Sequence, residues 1–207
     1  MMIKAVIFDI DGVLLDSLDS NCEYFQELFK QAGYAVPSKE ILASMYHMPT
    51  WNVIKEITGL TSDIEIEKIW KLSENLKYDA KEKQKLTNGV LSSIKELRSK
   101  YKLAIVTSRN RKFVFEAPMN LLEDSFDAIV AYQDVTYHKP HPEPLLLASE
   151  RLGIPVDECV YVGDALSDIQ AARAAKMKII HFGNNDIGKT DGRTDSFVQL
   201  TEVIAAL

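Results

Sequence analysis

The chain has 207 residues, of which 46% are hydrophobic and 26% charged, and its 24 basic and 30 acidic side chains give a net charge of −6. That length suits about one domain plus a substantial insertion and can bury a sizeable core; it excludes a disulfide-stapled miniprotein, while the composition excludes a collagen-like or disordered chain and offers no membrane-length apolar run. The acidic balance supplies no basic footprint for nucleic acid, and Cys22 and Cys159, far apart and without metal-type spacing, fit a reduced, cytoplasmic setting.

From the N-terminus, Met1–Ile10 contains Lys4 and an apolar run, but Asp9 and Asp11 interrupt it before a signal-peptide core can form. The sequence therefore predicts a soluble, unprocessed chain with no membrane partner. Ala5-Val-Ile-Phe8 is a continuous apolar run, as expected of a strand buried on both faces. From Ser17 to Leu86 no strand pattern appears, only helical ones. The first carries Cys22, Phe25, Leu28, Phe29 and Ala32 and stops at Gly33. A second starts near Ser38, and a third follows Pro49 with Trp51, Ile54 and Ile57 and ends at Gly59. The fourth begins at a capping signal, Thr61 or Ser62 with Glu65 behind it, and runs past Trp70 and Leu76. The run Lys81-Glu-Lys-Gln-Lys85 reads as a solvated helix face.

Beyond this stretch, strand candidates return at Leu103–Val106, Ala128–Ala131, Cys159–Val162 and Lys178–Phe182. Helical patterns separate them: Val90, Leu91, Ile94 and Leu97, then Leu145, Leu146, Ala148 and Leu152, then Ile169, Ala172 and Ala175. Strands alternating with helices predict an α/β fold, a Rossmann-like parallel sheet with helices on both faces. Seventy-odd helical residues are too many for one crossover, so residues 17–86 read as an inserted α-helical cap subdomain on a core made of 1–16 and 87–207. Its hinges are expected near Leu15–Leu18 and Leu86–Gly89.

Ligands of open parallel sheets bind beyond the carboxyl ends of the strands, so the residues that follow each strand test for a site. They are Asp9 and Asp11; Thr107, Ser108 and Arg109; Lys139 between His138 and Pro140; and Gly163-Asp164 with Asp168. A surface lysine or a helix-capping acid explains any one of them, but not the set delivered to one rim. Clustered carboxylates cannot all ionise without a cation, and oxygen-only donors point to Mg2+. Phosphoryl transfer fits this chemistry: Asp9 as nucleophile, Asp11 as the acid and base, and Thr107 and Lys139 holding the phosphoryl oxygens where charge develops.

The segments Asp9-Ile-Asp-Gly-Val-Leu-Leu-Asp-Ser, Ala-Ile-Val-Thr107, Lys139-Pro-His-Pro-Glu-Pro and Val-Gly-Asp164-Ala-Leu-Ser-Asp168 resemble, in order, the four motifs of the haloacid-dehalogenase-like (HAD) hydrolase superfamily, over roughly Lys4 to Phe182. The long insertion looks like the helical cap of the subgroup containing phosphoglycolate phosphatases and β-phosphoglucomutases. The resemblance implies Asp9 as nucleophile and Asp11 as acid and base. It also implies Mg2+ held by Asp9, the Asp11 backbone carbonyl and Asp164, with Asp168 a ligand or the partner of one. Dehalogenation is not expected, because halide-releasing relatives lack the second aspartate, and Asp11 is present. Ser108 stands where asparagine is common, Lys176 where glycine is common, and Thr87 where proline is common; these departures weaken assignment to a named enzyme, not to the superfamily.

The expected activity is thus a Mg2+-dependent phosphatase acting on a small phosphorylated metabolite, with Thr107, Ser108, Arg109 and Lys139 binding substrate, in a monomer or homodimer. The alternatives are a sugar phosphomutase of the β-phosphoglucomutase type and a catalytically silent module on the same fold. Two competing motifs fail. A calcium loop would need ligands where Ile7 and Leu18 stand. Gly183-Asn-Asn-Asp-Ile-Gly-Lys-Thr190 matches a phosphate-binding loop by letter, but Asp191-Gly-Arg193 reads as a turn where a helix is required. His138 and His141 read as loop residues, and Tyr46, Trp51 and Trp70 as packing of the helical unit. Between Asp16 and Leu86 there is no arginine; Lys39, Lys55, Lys77 and Lys81 are the cap cations, with Arg109 and Arg111 outside it.

Overall fold

In a computed structural model that describes residues 2–76 and 84–207, the run Ala5–Phe8 forms β1, parallel on one side to β4 (Lys102–Val106) and on the other to β6 (Cys159–Gly163). The sheet extends outward through β5 (Ala128–Val130) beside β4, and through β7 (Lys178–Phe182) and β8 (Gly192–Thr194) beside β6, giving the order β5-β4-β1-β6-β7-β8 with every pairing parallel. Alternation along β1 fills both faces. Val6 and Phe8 pack with Val90, Ile94 and Leu97 of α5 (Val90–Arg98) and Phe197, Leu200 and Ile204 of α8 (Phe197–Ala205). Ala5 and Ile7 face the other way, onto Leu145 and Ala148 of α6 (Glu143–Leu152) and Ile169, Ala171 and Ala172 of α7 (Leu166–Ala175). This is a Rossmann-like three-layer α/β fold, and its strands lack polar alternation because helices cover both sides.

By its internal contacts the chain divides into two compact units, Met1–Asp16 with Lys85–Leu207, and Ser17–Gln84. The second unit is helical: α1 (Leu18–Gln31), α2 (Lys39–Ser44), α3 (Thr50–Thr58) and α4 (Asp63–Glu74). Ser38 caps α2 through a bond from the Ile41 amide, and Gly59 ends α3 in the left-handed conformation that a side chain resists. Leu28, Ile54, Ile66 and Ile69 form one cluster, against which Trp51 and Trp70 pack. Tyr46 donates to or accepts from Ser17 Oγ at 2.7 Å. The chain leaves and re-enters the first unit through a short antiparallel ribbon, β2 (Leu15–Asp16) against β3 (Lys85–Leu86). Thr87 reinforces it by donating its hydroxyl to the Val13 carbonyl at 2.6 Å.

Three expectations change. Helix α4 ends at Glu74, two residues before Leu76, and Ser62 makes no side-chain cap bond, so the Ser62/Glu65 pattern does not close as a capping box. The turn expected at Asp191–Arg193 is instead the entry to β8. Its register is fixed by Asp191, whose amide donates to the Ile179 carbonyl and whose Oδ2 accepts from the Ile179 amide, both at 2.9 Å. A three-residue strand led by glycine carries no apolar run, and Gly192 is needed because a Cβ there would meet Val203 Cγ1 at 2.7 Å. Helix α8, likewise, was not signalled by the alternation upstream. The charged face expected at Lys81–Lys85 lies outside the described residues apart from Gln84 and Lys85, the latter an exposed residue of β3, and Lys77 and Lys81 lie outside them as well.

Candidate active site

The first unit gathers its chemistry where β1, β4 and β6 end. The Asp9 amide donates to the Val162 carbonyl at 3.0 Å, continuing the β1–β6 ladder one residue past the strand. Its side chain is nearly buried, and its Oδ1 accepts from the Ile10 amide at 2.7 Å. The backbone then reverses through Gly12, at φ 75°. A Cβ there would lie 1.7 Å from Asp164 Oδ2, so the glycine answers both to a left-handed turn and to a carboxylate pressed against it.

Lys139 sits under Asp9. Its ammonium donates to Asp9 Oδ2 at 2.6 Å, to Asp168 Oδ1 at 2.7 Å and to the Tyr161 hydroxyl at 3.0 Å, which commits all three of its protons. Asp168 is fully buried at the start of α7. Its Oδ2 accepts from the Asp164 and Ala165 amides at 3.1 and 3.0 Å, and its Oδ1 also receives the Tyr161 hydroxyl at 3.2 Å. Helix capping and lysine anchoring are therefore one function of one carboxylate. Gly163 permits this, because a Cβ there would fall 2.6 Å from Asp168 Cβ. Tyr161 was missed as a site residue: it reads as one more apolar position of a buried strand. The available signal was its hydroxyl, which needs a polar partner when a tyrosine is fully buried.

On the loop after β4, the buried Thr107 accepts the Arg109 amide on its Oγ1 at 3.1 Å and keeps its own hydroxyl proton to donate. Arg109 reaches back to Asp11 as a two-pronged pair, Nε to Oδ2 at 2.7 Å and a terminal nitrogen to Oδ1 at 2.5 Å. Ser108 is half-buried beside them and joins none of these bonds. Arg111, the other arginine noted outside the cap, is tied to Asp134 and the Ile129 carbonyl. The reason is electrostatic: Asp134 is mostly shielded from solvent and draws both Arg111 and Arg151.

The carboxylates crowd one another. Oxygens of Asp9, Asp164 and Asp168 all lie within 4.8 Å, while the Asp11 side chain is engaged by Arg109 outside this triplet. Burial pushes the Asp9 carboxyl up to about 7, with Lys139 pulling it down and Asp168 and Asp11 raising it further. Burial, then the charges of Asp9 and Asp168, push Asp164 up to about 9. Lys139 is held well above the ordinary lysine range, since Asp168 and Asp9 outweigh its desolvation. Two acids that resist ionising beside each other, with only oxygen donors and a glycine notch seating Asp164, suit a hard divalent cation such as Mg2+.

Other sequence candidates fall elsewhere. No helix starts at Lys189–Thr190; β8 follows, so the phosphate-loop reading fails on structure as well as on sequence. His138 stacks on Tyr132 with centroids 4.1 Å apart, and His141 tilts against Tyr137. In the helical unit Lys55 is exposed, and Lys39 pairs with Asp19 at 3.4 Å. Among the described residues no helix is long and apolar enough to cross a membrane, and both cysteines are free and buried.

Comparison with known proteins agrees with this geometry. A family profile described as haloacid dehalogenase-like hydrolase matches residues 6–182. The phosphoglycolate phosphatase of Nitrosospira multiformis is 31% identical over 196 residues, spanning 89% of this chain and 86% of that protein. The chloroplastic protein Suppressor of Quenching 1 of Arabidopsis thaliana is 32% identical over 187 residues, which are 86% of this chain but only 18% of that much longer protein. CbbY of Rhodobacter sphaeroides, whose crystal structure holds phosphate, shares the fold over the full length of both chains with a TM-score of 0.85 at 23% identity. With the profile spanning all four strand-end motifs, the chain belongs to the haloacid dehalogenase-like hydrolases.

Proposed function

We propose that this hydrolase is a Mg2+-dependent phosphatase that cleaves a small phosphorylated metabolite through an aspartyl-phosphate on Asp9. The observation that carries the reading is the Asp9–Lys139–Asp168 chain, which fixes a buried carboxylate at a strand tip with Asp11 two residues away. A carboxylate oxygen of Asp9 attacks phosphorus, the bond from phosphorus to the alcohol oxygen breaks, and Asp11 gives that oxygen its proton. Asp11 then takes a proton from water as the water oxygen attacks the aspartyl-phosphate, which releases phosphate and restores Asp9. Thr107 donates its hydroxyl to a phosphoryl oxygen, where negative charge must be stabilised. Lys139, with its three donors already engaged, acts chiefly by holding Asp9 still and partly neutralising it.

Asp9 and Asp164 are the side chains we assign to Mg2+, because both oxygens of Asp168 are occupied by Lys139, Tyr161 and two amides. When bound, Mg2+ supplies positive charge that lets an anionic nucleophile approach an anionic phosphate. The helical unit, Ser17–Gln84, is proposed as the cap that selects small substrates. The test is hydrolysis of p-nitrophenyl phosphate with and without Mg2+. We expect phosphate release that requires Mg2+ and falls by about three orders of magnitude or more in Asp9→Asn. Full activity in that variant would remove Asp9 as nucleophile.

A further inference from the structure

We propose that Glu143 is a positioning residue for Lys139: it closes the loop that carries the lysine and so sets where the ammonium meets Asp9. This rests on the phosphatase reading above. The Lys139 side chain is only 7% exposed, and its ammonium must reach Asp9, Asp168 and Tyr161 at once. Its backbone has no hold of its own. Among the described residues neither the amide nor the carbonyl of Lys139 is hydrogen-bonded within the protein, and Pro140, next in the chain, has no amide to donate. The backbone at Lys139 is therefore placed by its flanks.

Glu143 joins those flanks. Before Lys139, its Oε1 accepts the Thr136 amide at 3.0 Å and its Oε2 the Tyr137 amide at 2.9 Å. After Lys139, its own amide donates to His141 Nδ1 at 3.2 Å, and the His141 amide donates to the His138 carbonyl at 2.9 Å. An acid in the first turn of a helix ordinarily serves that helix, whose free amides and dipole attract it. Glu143 begins α6, yet both of its oxygens turn to amides seven and six positions upstream. The Thr136 and Tyr137 amides hold its carboxyl below the ordinary glutamate range, so at neutral pH both bonds are charge-assisted. The Tyr137 and His141 rings also meet across the loop, with centroids 4.8 Å apart, but a ring contact leaves the two amides unfixed. None of the Glu143 bonds goes to Asp9, Asp11 or Thr107, so it acts on the reaction through Lys139.

A nucleophile misplaced by about 1 Å can lose about a hundredfold in rate, and removing Glu143 loosens the anchor of Asp9 without deleting it. The experiment measures hydrolysis of p-nitrophenyl phosphate by the full chain with Mg2+, with kcat referred to the folded fraction read from denaturant unfolding. Glu143→Ala should lower kcat by about tenfold or more and change KM by less than about twofold, because the Lys139 protons go to protein groups and not to substrate. Glu143→Gln, which keeps one of the two acceptor oxygens, should fall between. In a Lys139→Ala background, adding Glu143→Ala should cost less than about a further twofold, since the anchor it positions is already gone. A staple that serves stability alone would lower the folded fraction and leave kcat per folded molecule unchanged. That result overturns the proposal, as does an equal loss in both backgrounds. If Lys139→Ala does not fold, the split between kcat and KM and the Gln variant decide alone. An unchanged chain that hydrolyses no p-nitrophenyl phosphate overturns instead the phosphatase reading and this inference with it.

Discussion

Asp168 orders the groups to which the proposed chemistry assigns the reaction. It closes the first turn of α7 through two amides and holds Lys139, which in turn holds Asp9. Asp168→Ala leaves a buried ammonium short of a counter-charge and two amides without an acceptor. We expect a loss of about 3 kcal/mol or more in denaturant unfolding, accompanied by loss of turnover; a change below about 0.5 kcal/mol would show that the network relaxes without it. At this scale the sequence was informative wherever a side chain followed a strand. Asp9, Thr107, Lys139 and Asp164 could be read off, since the sheet's direction alone decides which end they occupy. It was silent on pairings. Nothing in the spacing tells that Arg109 takes Asp11 while Arg111 turns to Asp134, because that choice depends on side-chain reach in three dimensions.

Among the elements, α7 shows how a departure from a family pattern is tolerated. Lys176, at a position where glycine is common in the subgroup, is the helix's C-cap and adopts φ 59°, the one non-glycine residue with positive φ among those described. A side chain in that conformation costs about 1 kcal/mol relative to glycine. Lys176→Gly should therefore raise stability by about 1 kcal/mol, read as a higher denaturation midpoint at unchanged slope. A lower midpoint would mean that the lysine stem is itself stabilising. The buried strands β1, β4, β6 and β7 were legible because helices on both faces demand continuous apolar runs. The edge strand β8 was not, since backbone pairing with β7 and the Asp191 side chain define it, and neither leaves a hydrophobic signature. The C-terminal glycine of α3 was legible for the opposite reason: left-handed caps select glycine directly.

For the molecule as a whole, the site couples stability to pH and, with Mg2+ bound as proposed, to metal. The folded protein holds Asp9 near 7 and Asp164 near 9, above the ordinary aspartate value of 3.8. Folding thus favours their protonated forms. Their contribution is fully present below about pH 4 and is lost as pH climbs through 7 and then 9. Lys139, raised rather than lowered, stays charged across this window and does not reverse the trend. Metal-free protein should lose thermal stability from these groups between pH 5 and 9. Mg2+ at about 100 times its dissociation constant should restore about 2.7 kcal/mol, or about 5–10 °C for a chain of this size, with a larger gain at pH 8.5 than at pH 5.5. An equal gain at both pH values would mean that Mg2+ binds away from Asp9 and Asp164. In the sequence the strand–helix alternation breaks between Ser17 and Leu86 and resumes beyond, as an insertion requires if the host sheet's pattern is to stay intact on either side.

The Lys139–Asp9 bond joins residues 130 positions apart, and Asp168 lies farther along still. During synthesis at about 5–20 residues per second, Asp9 leaves the ribosome many seconds before the groups that order it. Until β6 pairs with β1 and α7 closes its first turn, the nascent chain carries an acidic tip without its counter-charge. Recovery of catalysis after denaturation should accordingly trail the recovery of helical signal from Ser17–Gln84, where α1 packs on α2 and α3 on α4, each the next helix in the chain.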